Sequence, residues 1–441
     1  MAQPLTILFM PESAYGPTNN CVGIGDVLRK RGHTVVFAAE ASWSGKLAPL
    51  GFVEDLVDLA APPEPDPDAA GPAGDAGQFW KDFIRDTAPE FRKPTIEQLA
   101  TFMQPTWAAL IDGAMYCEPQ LREIIARNRP DVIVEDNVIT FPALQTADAP
   151  FVRIVSCNPL EIRGPAGDEI PPAYSGLPSD DRSQWAAFRQ EYDRTHRPTW
   201  EAFDAWCRSQ GTAPLPELEF IHPSDRLNLY VYPGVADYTD RRPLDATWQR
   251  LDSSVRATDG AFELPAELAD RPAGSALIYL SLGSLGSADV DLMRRLVAVL
   301  ADTPHRYIVS KGPQHAAYEL APNMWGAEFL PQTKIVPLVD LVITHGGNNT
   351  TTEAFHFGKP MIVLPLFWDQ YDNAQRVDET GFGVRLATYA FSDEELRGAI
   401  ERLLADTELR GRMARIGAEI QARDGVAKGA AAIEAVGLDG R

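Results

Sequence analysis

Short apolar runs recur along the chain, each closed by glycine, proline, asparagine or charge. In the first half they are residues 5–10 (LTILFM), 34–38 (TVVFA), 131–136 (DVIVED), 151–155 (FVRIV) and 227–232 (LNLYVY). Continuous rather than alternating apolarity predicts short strands buried on both faces. Residues 12–20 read as a loop, 22–31 as a helix and Gly32-His33 as its stop. Strand, loop, helix and strand in that order predict parallel pairing. The second half repeats the style with runs at 276–281, 306–309, 338–343 and 361–364, then amphipathic helices over 392–406 and 408–422, with Ser392 as an N-cap. Residues 241–274 are polar and carry Pro243, Pro265 and Pro272. The division predicted is an N-terminal α/β domain over 1–240, a linker over 241–274, a second α/β domain over 275–422 and a last helical segment over 423–441. Two facing Rossmann-like domains put a binding cleft between them, at the C-terminal ends of the strands.

Composition narrows the function. The 441 residues carry a formal charge of −22, which argues against nucleic acid and anionic membrane surfaces as partners. The four cysteines, Cys21, Cys117, Cys157 and Cys207, lack metal-type spacing and read as free thiols in a reducing compartment. The N-terminus has no basic segment followed by a long apolar one, and no apolar run reaches bilayer length, so a cytoplasmic location is expected. Residues 60–77 are rich in proline, glycine, alanine and aspartate and read as a loop. Asp66 and Asp68, like Asp289 and Asp291, have Asp-x-Asp spacing. The first pair falls in that loop and the second in a helix's first turn, so both read as structural and no bound metal is predicted. Aromatic clusters (Phe79, Trp80, Phe83, Phe91, Phe102, Trp107; then Trp185, Phe188, Tyr192, Trp200, Phe203, Trp206) supply core and part of an apolar pocket wall.

The densest chemistry lies in residues 329–373. There a strand runs into Thr344-His345-Gly346-Gly347-Asn348-Asn349-Thr350, and a helix opens after it. Glycines allow close backbone approach, and unpaired N–H groups at a helix start suit an anion such as phosphate. The next strand ends in Pro365 and leads to Asp369-Gln370, whose carboxylate and amide suit a polyol. Phosphate and sugar in one crevice suggest a nucleotide sugar.

The ordered set Pro331-Gln332, His345, Gly347, Asn349-Thr350, Glu353, Pro365, Asp369-Gln370 and Asn373 resembles the donor-binding signature of the inverting, nucleotide-sugar-dependent glycosyltransferases with the GT-B fold. The resemblance implies a GT-B fold, a last helix that crosses back onto the first domain, and hexose transfer from a UDP-sugar or dTDP-sugar to a small, mainly apolar acceptor. UDP-glucose is the donor favoured, as co-substrate, with no further cofactor. A monomer or homodimer is expected. His345, Asn349, Thr350 and Gly347 would hold the diphosphate, with Gly283 and Ser284 as a second contacting loop. Glu353 would bind the ribose, Phe329 would stack on the base with Gln332 nearby, and Asp369 and Gln370 would bind the sugar.

The first half departs from the family in one place. Arg31-Gly32-His33 resembles the family's Arg-Gly-His, and counting back from it puts the family's general-base histidine at Pro17. Proline accepts no proton. The family's second dyad member, a strand-end acid, is matched by Asp136, with Glu135 and Glu12 as further candidates. Three readings stay open: an acceptor needing little deprotonation, such as an amine, a thiol or an acidic phenol; an acid acting as base; or lost transfer activity, which leaves a nucleotide-sugar-binding protein. A nucleotide-sugar epimerase is a third class on the same fold.

Overall fold

The computed structural model describes residues 4–61, 87–164 and 166–440. Asp66, Asp68, Phe79, Trp80, Phe83 and most of the 60–77 stretch lie outside these residues.

Two parallel sheets carry the architecture. The first has seven strands in the order β3-β2-β1-β4-β5-β6-β7. They are β1 Thr6–Pro11, β2 Thr34–Phe37, β3 Val53–Glu54, β4 Val132–Asp136, β5 Phe151–Val155, β6 Leu227–Val231 and β7 Trp248–Leu251. The second has six, in the order β10-β9-β8-β11-β12-β13. They are β8 Leu277–Ser281, β9 Arg306–Ser310, β10 Met324–Ala327, β11 Leu341–Thr344, β12 Met361–Val363 and β13 Gly383–Arg385. Every pairing is parallel, with Pro11 opposite Asp136 and Thr344 opposite Ser281. Strand order reverses beside β1 in one sheet and beside β8 in the other, which opens a crevice beyond β1/β4 and beyond β8/β11.

Several elements differ from the sequence reading for local reasons. The segment 12–20 is not all loop, because a helix runs over Tyr15–Lys30 with Pro17 in its first turn. A proline is tolerated there because a first-turn N–H has no intrahelical partner to lose. The run 338–343 is strand only from Leu341, because Pro337 sits in a short 3₁₀ turn, Val336–Leu338, that leaves Leu338 exposed. The stretch read as a linker, 241–274, begins later than expected, since β7 within it completes the first sheet. Asp289 caps the helix Val290–Ala301 by accepting from the Leu292 N–H, and Ser392 with Glu395 forms a full capping box.

The last helix, Gly425–Asp439, lies on the first domain, where Ala430 and Ile433 join a buried cluster with Ile24, Val22 and Leu251. A Cβ on Gly429 would stand 2.9 Å from Leu251 Cδ1 and 3.3 Å from Ile24 Cδ1. Glycine is therefore what lets the helix seat. His33 braces its far end, accepting the Leu5 N–H at Nδ1 while Nε2 lies 3.0 Å from Glu434. Among the described residues no helix is long and apolar enough to cross a membrane. Gly429→Leu is expected to cost about 1–3 kcal/mol through overpacking. A thermal-midpoint comparison checks this, and an unchanged midpoint would contradict the packing account.

Candidate active site

The loops that follow β8 and β11 close around one imidazole. Gly283 (φ +70°) follows β8, and His345, Gly346 (φ +86°) and Gly347 follow β11. A Cβ on Gly283 would lie 2.8 Å from His345 Nε2, and one on Gly347 would lie 2.5 Å from the same atom. Both glycines are therefore required by the ring packed between them. Burial lowers the His345 pKa to about 4, so the imidazole is neutral and its N–H is a donor at neutral pH. The helix Asn348–His356 starts beside it with Gly347 as N-cap and no side-chain cap. Its first N–H groups have no intrahelical partner, the property that suits a helix start to an anion. Ser284 lies in the short helix Gly283–Gly286 on the facing loop.

The residues read from the sequence as nucleoside contacts are joined to one another. Glu353, 2% exposed, accepts from Gln332 Nε2 at 2.6 Å, and Arg256 lies 3.4 Å from its other oxygen. Gln332 also donates to Thr350 Oγ1 and accepts from Tyr279 OH, both at 3.2 Å. Arg256 is fixed in turn by both oxygens of Asp259, at 2.7 and 3.0 Å. Burial raises the Glu353 pKa, and Arg256 and Gln332 oppose the rise. Phe329 is 52% exposed, and its ring stands 5.7 Å from that of Tyr15 on the other domain.

Of the residues read as sugar contacts, Asp369 accepts at Oδ2 from the Asn158 N–H at 2.9 Å and from Asn373 Nδ2 at 3.3 Å. Burial raises its pKa to about 6. The Gln370 side-chain Oε1 accepts from the N–H groups of Leu366 and Phe367 and so holds its own turn. Trp368 (φ +56°) donates from Nε1 to Glu161 at 3.1 Å, and its ring contacts Trp107 and Tyr174. Cys157, Glu161 and Asp369 bring ligand-type atoms within 4.8 Å of one another.

The first domain meets this crevice with a cavity of about 250 Å³, walled by Pro17, Trp107, Asp136, Ser156, Tyr174 and Phe188 among others. Asp136 ends β4 and is 2% exposed. It accepts from Ser156 Oγ. Burial raises its pKa to about 7; the Ser156 bond opposes the rise and Glu12 adds to it. Glu135 is one residue earlier and therefore on the opposite face of the strand. It is fully buried 3.0 Å from Arg153, so it cannot serve the cavity, and its candidacy is withdrawn on that ground. Glu12, half-buried at the end of β1, accepts from Ser13 Oγ at 3.3 Å and lies close enough to Asp136 to act on it electrostatically. Pro17 does line the cavity, at the position counted for the family's histidine.

Asn349 has a second role. Its side chain donates to Gly16 O at 3.0 Å and accepts from Asn20 Nδ2 at 2.9 Å. Asn20 Nδ2 also donates to Ser156 Oγ at 2.9 Å, and Ser156 donates to Asp136. An unbroken hydrogen-bond chain thus runs from the donor cradle to the acid. Asn20, Ser156, Asn158, Arg256 and Tyr15 were not singled out in the sequence. Ser156 and Asn158 sit just past a predicted strand, which is the one available signal.

Set beside known proteins, the site has relatives. A family model described as UDP-glucoronosyl and UDP-glucosyl transferase matches residues 264–418. The NDP-glycosyltransferase YjiC of Bacillus subtilis is 30% identical over 298 residues, which are 66% of this chain and 69% of that protein. The oleandomycin glycosyltransferase of Streptomyces antibioticus is 26% identical over 402 residues, 89% of this chain and 82% of that one. In fold, the solved glycosyltransferase of kitacinnamycin matches with a TM-score of 0.69 and 21% identity, covering 99% of this chain and 100% of that one. VinC in complex with dTDP matches at 0.65 with 18% identity, covering 98% and 99%. The fold is GT-B. The chain belongs to the nucleotide-sugar-dependent UDP-glycosyltransferase family and is a glycosyltransferase.

Gly283→Ala is expected to push the His345 ring out of place and weaken UDP binding by about tenfold or more, given that a preorganised donor is worth ~10²–10³ in rate. Calorimetric titration with UDP checks this. Unchanged affinity would show that the ring does not depend on the glycine.

Proposed function

We propose that this protein transfers a hexose, with inversion at the anomeric carbon, from a UDP-sugar or dTDP-sugar to a small and mainly apolar acceptor, using Asp136 as the base in place of the family's histidine. The observation that carries the proposal is the position of Asp136. It lines the acceptor-sized cavity and is joined through Ser156, Asn20 and Asn349 to the diphosphate cradle. The relative named for oleandomycin supports a natural-product acceptor. UDP-glucose is the first donor to try. The reading includes no cofactor beyond the nucleotide sugar, a cytosolic location, and a monomer or homodimer.

In this mechanism the acceptor lies along the apolar wall with its nucleophilic atom at Asp136. The carboxylate takes the acceptor's proton as that atom attacks the anomeric carbon. The bond from that carbon to the diphosphate oxygen breaks on the opposite face. The charge that grows on the leaving oxygen is met by the His345 N–H and the first N–H groups of the helix Asn348–His356, donors that bind the transition state better than the ground state. Glu353 takes the ribose hydroxyls by exchanging its Gln332 contact, Phe329 stacks on the base, and Asp369 with the Gln370 amide holds the sugar. A carboxylate is a weaker base than imidazole toward an alcohol. The raised pKa of Asp136 narrows that gap, and an acidic phenol, amine or thiol acceptor narrows it further.

Pro17 favours a second reading, a nucleotide-sugar-binding protein without turnover. The two separate on Asp136→Asn, which is expected to lower kcat by about 10²–10⁴ while leaving UDP affinity intact. Because the pKa of Asp136 is raised to about 7, the base form accumulates as pH rises, so wild-type kcat/KM should climb through that pH and level off above it. The variant should lack that limb. Wild-type rates in Asp136→Asn would sink the assignment. The charge on the leaving diphosphate is answered here by N–H donors, so transfer should also persist in EDTA. Loss in EDTA with recovery on adding Mg²⁺ or Zn²⁺ would instead give the Cys157–Glu161–Asp369 trio a catalytic metal.

A further inference from the structure

Asn158 belongs to the first domain, yet it is wired into the sugar side of the second. It is fully buried. Its N–H donates to Asp369 Oδ2 at 2.9 Å. Its side-chain NH₂ donates to Asn373 Oδ1 at 2.8 Å and to Tyr232 OH at 3.2 Å, while Oδ1 accepts the Leu160 N–H at 2.9 Å and caps the turn Pro159–Glu161. Asn373, also fully buried, passes the constraint on. It donates to Asp369 Oδ2 and, at 2.8 Å, to the carbonyl of Gly346, which follows His345. One residue from the first domain thus reaches both, holding the carboxylate read as the sugar ligand through its backbone N–H and, through its side chain on Asn373, that carboxylate again and the turn that carries His345. The same short loop holds Ser156, which orients Asp136, and Leu160 and Glu161, which wall the cavity.

We propose that Asn158 is a positioning residue for the donor sugar: by holding Asp369 Oδ2 and Asn373, it sets the direction in which Asp369 presents its other oxygen, so that the acceptor-binding domain completes the sugar subsite. The proposal rests on the reading of Asp369 as the sugar ligand. It separates two recognitions that one cleft combines. The nucleotide is held by Glu353, Gln332 and the helix start, all within the second domain. The sugar is held correctly only when the first domain is in place. Closure itself does not hang on Asn158. Asp372 accepts the N–H groups of Tyr174 and Gly176 at 2.5 and 2.8 Å, Arg376 donates to the carbonyls of Ala236 and Asp237, and Glu379 accepts from Ser179.

Asn158→Asp isolates the effect. Aspartate keeps the oxygen that caps the turn, loses the NH₂ that holds Asn373, and sets a second carboxyl group beside Asp369. The experiment compares the binding of UDP or dTDP, whichever the wild type holds more tightly, with KM for the corresponding glucose nucleotide. The variant should raise the donor KM about tenfold to a hundredfold, with nucleotide affinity held within about twofold, the scale expected when a ligand group is misplaced without being removed. Equal losses for nucleotide and nucleotide sugar would mean that Asn158 merely supports the fold, and an unchanged donor KM would remove its role; either result overturns the proposal. Asp369→Asn is run beside it. If that variant leaves the donor KM unchanged, the reading of Asp369 fails and takes the proposal with it, whereas a raised KM in Asp369→Asn alone rejects only the role of Asn158.

Discussion

A carboxyl group buried at the bottom of a cleft, answered by the hydroxyl and backbone N–H of Ser156 with the Cys21 thiol beside it, is the constraint around which this molecule is arranged. Burying Asp136 disfavours its charged form and lifts its pKa to about 7. Ser156 is the donor that makes the site tolerable, and Ser156 is itself oriented by Asn20, whose amide also reaches Asn349 in the opposite domain. The contacts that tune the acid lie within the first domain, and the Asn20–Asn349 bond ties that group to the second. Opening the cleft would break the Asn20–Asn349 bond and leave Ser156 less constrained.

The donor half follows a different logic. There the protein spends glycine rather than charge. Gly283 and Gly347 leave room for the His345 ring, and Gly346 takes a left-handed conformation against Val363, where a Cβ would stand 2.7 Å from Cγ1. With a formal charge of −22 the surface gives an anion no general attraction, so under the proposed function local N–H donors carry that task. In the first domain Pro17, in the first turn of its helix, lines the cavity and offers no base.

What was legible in the sequence was what is local. Residues 151–155 form β5 over the same span, and β4 and β9 were found to within a residue, because a strand buried on both faces must be apolar throughout. The residues proposed as the donor cradle could be grouped from the sequence because they lie close together along the chain. β3, β7, β10 and β13 were missed. They are short and only partly buried, so their composition carries little apolar signal. The start of the helix at Tyr15 was hidden by Gly16 and Pro17, which have the look of a loop. Asn20, Ser156 and Asn158 could not be found, because their importance comes from partners up to 329 positions away. Glu135 and Asp136 look equivalent in sequence, and only the strand's alternation sends one to Arg153 in the core and the other to the cavity.

The central claim is that the cleft turns over donor and acceptor without the family's histidine. Intact-mass detection of product tests it most directly: purified protein, UDP-glucose and dTDP-glucose, and a panel of phenols, alcohols, arylamines and thiols, with nucleotide release followed in parallel. A hexose mass shift on at least one acceptor, strongest among those that ionise or attack most readily, is the result predicted. Tight nucleotide binding with neither product nor nucleotide release across the panel would contradict it and leave a protein that holds nucleotide sugars without transferring them.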